Sequence, residues 1–170
     1  MASAPNIERL YDDHASALFA FLLNVLRNEA DTQDVMQELF VKLARRPALL
    51  ENVREERGFL LRMGHNLAID LMRRRATRDK NYDQLAREPA LLFASGTDPD
   101  EQTFREKLAE ALGGLPADQR AVVHLKLWEK LTFEGIAETL EIPANTAASR
   151  YRYGIDKLRE RLRPIYDEIQ

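Results

Sequence analysis

The chain has 170 residues, of which 45% are hydrophobic and 31% charged, and it contains no cysteine. Disulfides and thiolate metal sites are therefore excluded. The formal net charge of -3 argues against a generic nucleic-acid binder, but the charge is unevenly distributed: residues 57–80 carry +5 and residues 143–170 carry +2, whereas residues 1–56 carry -4 and residues 81–119 carry -5.

Only seven glycines and seven prolines interrupt a chain rich in Leu, Ala, Glu and Arg, which predicts an all-α fold. The three histidines have no metal-ligand spacing, and no catalytic triad, phosphate loop or dinucleotide fingerprint occurs. We therefore expect no metal, no cofactor, no small-molecule substrate and no enzymatic activity. The N-terminus lacks a signal peptide and no apolar stretch is long enough to span a bilayer, so we expect a cytoplasmic protein without membrane insertion.

The first half of the chain contains three stretches in which apolar residues recur every three or four positions, which predicts three amphipathic helices in one bundle. The first covers about residues 7–25. The second follows Asp31 and Thr32, which we expect to cap it, and ends at Pro47. The third runs from about Phe59 to Arg78, after an irregular segment at residues 48–58.

Residues 79–103 combine acidic residues, two prolines and a Ser-Gly turn without a sustained apolar period, which predicts a flexible acidic linker. A second helical domain follows. In it, Thr132 can cap a short helix, a turn at residues 141–143 follows, and a longer helix begins near Asn145 and ends at about Leu162. This is a helix-turn-helix pattern. We therefore predict two small helical domains, residues 1–78 and 104–170, joined by the linker.

The last predicted helix has an apolar face that we expect to pack inward, formed by Ala147, Tyr151, Ile155, Leu158 and Leu162. In a helix-turn-helix, the N-terminal half of this helix enters the major groove, where polar side chains bond base edges and basic ones hold phosphates. The arginines near its C-terminus fit an ordinary solvated helix end. The predicted DNA contacts are accordingly Asn145, Thr146, Ala148, Ser149, Arg150, Arg152 and Tyr153.

Three consecutive arginines, Arg73 to Arg75, stand at the end of the third predicted helix and cannot all face a core. Composition alone supports two interpretations equally: phosphate binding, or a solvated last turn stabilised by the helix dipole. The acidic face of the second helix, which includes Asp34 and Glu38, is by itself an ordinary solvated face.

Three segments, in this order, resemble the extracytoplasmic-function (group IV) σ factors of the σ70 family. Residues 58–75, GFLLRMGHNLAIDLMRRR, are similar to the promoter-melting segment W-L-x-x-I-A-x-N-x-x-x-D-x-x-R-R. Residues 30–46, ADTQDVMQELFVKLARR, are similar to the helix that docks on the clamp helices of the polymerase β′ subunit, and residues 115–162 resemble the family's helix-turn-helix domain. The resemblance implies an RNA polymerase specificity subunit that binds core polymerase, at the β′ clamp helices and the β flap, and directs transcription initiation at promoter DNA.

The resemblance also implies roles for individual positions. The helix-turn-helix would read the promoter's -35 element, and the first domain would recognise and melt the -10 element, with residues 48–58 holding a flipped-out base. An anti-σ factor that covers the DNA-binding faces is expected as a regulator. The implied polymerase contacts are Asp34, Gln37, Glu38 and Phe40, and the implied -10 contacts are Asn66, Asp70, Arg73, Arg74, Arg75 and Arg78.

The chain departs from the family pattern at four positions. Phe59 stands where Trp is usual, which keeps a hydrophobic residue. Ala148 and Tyr153 replace residues that are commonly basic, so the -35 sequence that is read should differ or be bound less tightly. Glu141 occupies a turn position often held by Gly, which implies strain if that residue needs a positive φ.

Two other functions remain open from the sequence. One is a σ-like decoy that sequesters an anti-σ factor, although such decoys normally accompany a receiver domain, for which 170 residues leave no room. The other is an autonomous helix-turn-helix regulator whose first domain is unrelated to σ factors. Tight, specific binding of duplex DNA without polymerase would favour the regulator.

Overall fold

The computed structural model describes residues 5–78 and 99–169. The prediction of an all-α fold is confirmed across these residues. None of the described helices combines the length and the hydropathy that a bilayer crossing requires. The helices are α1 (Ile7–Leu26), α2 (Glu29–Arg45), α3 (Glu56–Arg78), α4 (Pro99–Gly113), α5 (Ala117–Leu127), α6 (Phe133–Leu140) and α7 (Ala144–Ile169), with a 3-10 turn at Pro47–Leu50 after α2.

Helices α1, α2 and α3 pack against one another and form the first bundle. Gly64 of α3 lies against α1: a Cβ atom at this position would stand 3.0 Å from Leu18 Cδ1 and 3.3 Å from Leu22 Cδ2. A glycine therefore permits the two helices to approach closely. The fully buried side chains of this bundle include Leu10, Leu18, Phe21, Leu22, Val25, Leu39, Leu43, Leu60 and Leu61.

The predicted capping of α2 by Asp31 and Thr32 is wrong. The helix begins at Glu29, and its N-cap is Asn28, whose side-chain oxygen accepts a hydrogen bond from the Asp31 amide at 2.9 Å. Thr32 instead donates its hydroxyl back to the Asn28 carbonyl at 2.8 Å. Both Asp31 and Thr32 are buried inside the first turn of the helix, where they contribute to packing and to a cross-helix ion pair described below.

The irregular segment predicted at residues 48–58 is shorter than expected. The 3-10 turn covers Pro47–Leu50, and α3 begins at Glu56 rather than at Phe59. Gly58 lies inside the first turn of the helix, where its amide donates to the Glu55 carboxylate at 3.0 Å. Phe59 packs partly buried against the core, as a hydrophobic replacement of the usual Trp should.

The second bundle consists of α4, α5, α6 and α7. Its first helix begins at Pro99, five residues before the predicted start at Phe104, while residues 79–98 of the predicted linker lie outside the described residues. Helix α7 packs on α5 at Gly154, where a Cβ atom would stand 2.8 Å from Val123 Cγ2. The inward face predicted for α7 is confirmed, with Ala147 and Leu158 buried.

The turn between α6 and α7 follows the predicted helix-turn-helix pattern. Thr132 caps α6 by accepting the Gly135 amide at 3.0 Å. Glu141 ends the helix in the left-handed conformation, with φ 58° and ψ 47°, so the condition under which the sequence implied strain at this non-glycine residue is met. The predicted end of the last helix at Leu162 is wrong, because α7 continues through Pro164 to Ile169.

The two bundles pack against each other, with α5 on α1 and α6 on α3. One continuous apolar core joins them: Phe21 and Val25 of α1 belong to the same buried cluster as Ala121, Val122 and Leu125 of α5. The sequence analysis predicted two helical domains joined by a linker and did not predict that they share a core.

Candidate nucleic-acid and polymerase interfaces

The N-terminal half of α7 presents the predicted -35 contacts on one side of the second bundle. Asn145, Arg152 and Tyr153 are exposed, Tyr153 at 56%. The others are half-buried on the flanks of the same face: Thr146, Ala148, Ser149 and Arg150. The Arg152 guanidinium lies 5.7 Å from the centre of the Tyr153 ring. The face therefore combines an amide, two aliphatic hydroxyl groups, two guanidinium groups and a phenol, which can bond base edges and phosphates.

Arg150 is held differently from Arg152. Its Nε lies 3.4 Å from Asp118 Oδ2 of α5, with both side chains partly exposed. The same guanidinium acts on His65 of α3, whose pKa is lowered to about 4 mainly by burial and secondarily by the positive charge of Arg150. Arg150 thus lies on α7 where that helix is near the first bundle.

A polar stripe runs along α3 on the side that faces solvent. Asn66, Asp70 and Arg73 follow one another at spacings of four and three residues, which places them on one face of the helix, and all three are exposed. Arg74 and Arg78 are exposed as well, and Arg74 Nε lies 3.4 Å from the Asp70 carbonyl within the same helix. Five of the six predicted -10 contacts are therefore accessible to DNA.

Arg75 is the exception in this set. Its guanidinium donates to both oxygens of the Asp31 carboxylate, with 2.6 Å from Nη2 to Oδ1 and 2.9 Å from Nη1 to Oδ2. The Asp31 side chain is only 3% exposed, so this bidentate pair joins α3 to the first turn of α2. Of the three consecutive arginines, one is engaged in the structure of the bundle and two remain on its surface.

Helix α2 exposes the predicted polymerase contacts. Asp34, Gln37 and Glu38 are exposed and share one face at spacings of three and four residues. Phe40 lies on the flank of this face, half-buried, with its ring 5.1 Å from the ring of Tyr11 in an edge-to-face contact. The two rings line a shallow surface groove with Phe19, Gln33, Met36, Gln37 and Val41.

Sequence reasoning missed the residues that join the two bundles. Arg120 of α5 is 6% exposed, and its guanidinium donates to the carbonyls of Asn24 and Val25 in α1. Asn24 Nδ2 also lies 3.2 Å from His124 Nδ1, and burial lowers the pKa of His124 to about 4. The sequence signal for this contact was the position of Arg120 and His124, four residues apart within the apolar run of α5. Polar side chains on an otherwise apolar helix face indicate that they have partners in the core.

Comparison with protein families identifies two regions of the chain that match family models. Residues 10–78 match Sigma-70 region 2, and residues 111–160 match Sigma-70 region 4. The first match covers α1, α2 and α3, and the second covers the end of α4 through most of α7. The first domain is therefore related to σ factors, which contradicts the alternative of an autonomous regulator with an unrelated first domain.

Relatives among known proteins match both regions together. The chain is 30% identical over 166 residues to the ECF RNA polymerase sigma factor SigL of Mycobacterium tuberculosis, with 96% of this chain and 93% of SigL covered. It is 30% identical over 164 residues to the RNA polymerase sigma factor CarQ of Myxococcus xanthus, covering 95% and 92% of the two chains. The ECF RNA polymerase sigma factor SigX of Bacillus subtilis is 26% identical over 172 residues, covering 94% of this chain and 85% of SigX.

The fold is also similar to that of a solved σ factor. The sigma factor RpoE of Bartonella quintana, in complex with the anti-sigma factor NepR, superimposes with a TM-score of 0.73 at 20% identity, covering 92% of this chain and 96% of RpoE. The two matched regions and the relatives that span both of them lead to the same family. The chain belongs to the extracytoplasmic-function RNA polymerase σ factors of the σ70 family.

Proposed function

We propose that this σ factor binds core RNA polymerase through α2, melts -10 DNA along α3 and reads the -35 duplex with α7. The observation that carries the proposal is the separation of three exposed faces: an acidic one on α2, and one on each bundle that carries arginines. An acidic face suits a protein partner with basic groups, while arginines next to amide groups suit phosphates and bases. The protein would act by binding in the cytoplasm, where polymerase transcribes.

The polymerase contacts rest on Asp34, Gln37, Glu38 and Phe40, by similarity to the family's β′ clamp-helix site. The groove between Tyr11 and Phe40 adds apolar surface beside the acidic face, which is the usual composition of a protein-protein contact. The second bundle would contact the β flap.

The ion pair of Arg75 with Asp31 reduces the set of residues that we propose as -10 contacts. Because that guanidinium is already bound to Asp31, we assign the DNA role to Asn66, Asp70, Arg73, Arg74 and Arg78. The exposed segment between α2 and α3, with Leu49 at 36% exposure, is the proposed position for a flipped-out base.

Regulation by an anti-σ factor is part of the proposal. Its support is the fold shared with RpoE of Bartonella quintana, a σ factor solved with the anti-σ factor NepR, and the exposure of the arginine-bearing faces of α3 and α7, which a protein could cover. A protein that covered either face would prevent promoter binding without a change in the σ factor itself.

The experiment that tests the proposal is transcription with reconstituted polymerase on a library of genomic promoters. We expect the double variant Arg73→Glu and Arg74→Glu to bind polymerase but to form few open complexes, since it repels -10 phosphates. The matched control is Arg159→Glu and Arg163→Glu, which changes the same charge at exposed positions near the C-terminus of α7. Equal loss of open complexes in both variants would contradict the -10 assignment, and no promoter-specific transcript from the unchanged chain would refute the function.

A further inference from the structure

The outward side of α7 carries four polar side chains and one phenol along the first half of the helix. Successive residues of an α-helix are turned by about 100°, so Ser149 lies at the centre of this side and the other four lie within about 60° of it. Ser149 is half-buried and the others are exposed. We call this set the outer stripe of α7, and it consists of Asn145, Ser149, Arg152, Tyr153 and Asp156.

The two arginines in the first half of α7 are held in different ways. Arg150 lies beside a carboxylate, with 3.4 Å from its Nε to Asp118 Oδ2. Arg152 has a carboxylate at the next turn, because Asp156 follows four residues later, a spacing at which opposite charges pair on a helix. Within the described part of the chain, Arg152 and Asp156 nevertheless form no ion pair. The Arg152 guanidinium lies instead 5.7 Å from the centre of the Tyr153 ring.

Contact with an aromatic ring leaves a guanidinium group able to bind a further partner. A guanidinium over a ring is attracted through its planar face, whereas its five N–H donors point outward in the plane of the group. A carboxylate partner, in contrast, occupies two of those donors when it binds in the bidentate geometry. The ring of Tyr153 therefore restricts the position of the Arg152 side chain and keeps its donors available at the surface.

Duplex DNA offers two kinds of partner to such a group: the phosphates, and the major-groove edge of guanine, where O6 and N7 both accept hydrogen bonds. The outer stripe favours guanine. Asp156 carries a negative charge one turn from Arg152, and this charge repels a phosphate. The neighbouring side chains of Asn145 and Ser149 are uncharged and suit base edges. A planar guanidinium with two parallel donors also matches the two guanine acceptors, which lie in one plane.

We propose that Arg152 reads a guanine in the -35 duplex and that Tyr153 is a positioning residue that holds the Arg152 guanidinium for this contact. The inference rests on the proposed function of α7. Tyr153 stands at a position that is commonly basic in the family pattern, which implied altered or weaker reading of the -35 element. Because Arg152 places a cation on the stripe from the adjacent position, the structure favours altered reading over weaker binding.

Promoter selection by polymerase reconstituted with the full chain tests the role of Arg152. The probe is a library of duplex promoters randomised only in the -35 region, and the bound sequences are counted. We expect the unchanged chain to prefer guanine at one position by about tenfold or more, the value of a bidentate arginine contact. Arg152→Gln should remove that preference and leave the other positions unchanged. A uniform loss of binding across all sequences would assign Arg152 to a phosphate and overturn the proposal.

Two substitutions of Tyr153 separate its ring from its hydroxyl group in the same selection. Tyr153→Leu should reduce the guanine preference by about two- to fivefold, the value of an exposed cation-π contact, whereas Tyr153→Phe should retain it because the ring is kept. An unaffected preference in Tyr153→Leu, or an equal loss in both variants, would overturn the positioning role. The matched control is Arg159→Gln, an exposed arginine two turns after Arg152 on the same side of α7, and it should keep the preference.

Failure of this inference is distinguishable from failure of the proposed function. If the unchanged chain selects a -35 sequence in which no guanine depends on Arg152, the guanine contact is wrong, while reading of the -35 duplex by α7 is retained. If polymerase with the unchanged chain selects no -35 sequence at all, the proposed function itself is wrong. Circular dichroism of each variant, whose substitutions lie at exposed positions, establishes that its helix content equals that of the unchanged chain.

Discussion

Arg75 and Asp31, 44 positions apart in the chain, form a bidentate ion pair between α3 and α2, at 2.6 Å and 2.9 Å. The pair joins the helix proposed to melt DNA to the helix proposed to bind polymerase. It also divides three consecutive arginines into two kinds. Arg73 and Arg74 are exposed on the surface of α3, whereas Arg75 holds a carboxylate that is almost completely buried.

We expect Arg75→Ala to lower the free energy of unfolding by roughly 2 kcal/mol, since it removes the charge partner of a buried carboxylate while Asp31 keeps its other contacts. Urea denaturation followed by circular dichroism measures the change. Arg74→Ala is the matched control, and at an exposed position it should alter stability by less than about 0.5 kcal/mol. Similar losses in the two variants would contradict the distinction.

Charge reversal on α2 tests the polymerase face. We expect Asp34→Lys with Glu38→Lys to weaken binding to core polymerase at least about tenfold while stability changes little, since both side chains are exposed. Binding is measured by competition with a labelled σ factor. Glu106→Lys with Glu110→Lys is the control, because these two carboxylates have the same spacing and exposure on α4. The assignment fails if the control variant loses as much affinity as the α2 variant.

Glu141 offers a test of backbone strain in the helix-turn-helix. Its φ of 58° lies in the left-handed region, where a side chain costs about 1 kcal/mol that glycine avoids. We therefore expect Glu141→Gly to raise the free energy of unfolding by about 1 kcal/mol. Glu138→Gly, inside α6, should lower it by a similar amount, and thermal denaturation of both variants gives the comparison. A destabilised Glu141→Gly would show that the carboxylate has a favourable role in the turn.

His124 makes stability depend on pH. Its ring packs between Phe21 and Trp128, at 5.3 Å and 5.4 Å, and burial lowers its pKa to about 4 from an ordinary 6.5. The unfolded chain therefore binds a proton between these two values that the folded chain does not. Stability is unaffected above pH 6.5 and falls as the pH drops from 6.5 towards 4, by about 2 kcal/mol at pH 5 from this one group.

The variant that isolates this effect is His124→Gln. His65, whose pKa is also lowered to about 4, remains in it, so the loss of stability between pH 7 and pH 5 should shrink but not vanish. Urea denaturation at a series of pH values measures the slope. An identical slope in His124→Gln and in the unchanged chain would mean that His124 is solvated in the folded protein.

The helix pattern, the helix-turn-helix and the family were all readable from the sequence, because each depends on local order. Apolar periodicity determines which face of a helix is buried. The cap of α6 involves only Thr132 and the amide of Gly135, three residues later in the chain. The family motifs are contiguous segments. The place of Glu141 in the motif marked a turn position often held by Gly, and the structure supplied its positive φ. Local signals misplaced the ends of elements, as at Asn28 and Pro99, where several residues could serve as the start.

The relationships between distant residues were decided only by tertiary structure. Asp31 was expected to cap its own helix, and its burial against Arg75 depends on how α2 crosses α3. Arg120 bonds to carbonyls 95 and 96 positions earlier, and a helix end offers such carbonyls to whichever cation packing brings near. Sequence periodicity predicts which face of each helix is buried, but it does not predict which two helices pack against each other. The sequence alone therefore determined two helical domains and their family, and the packing of α5 on α1 decided that they close into one core.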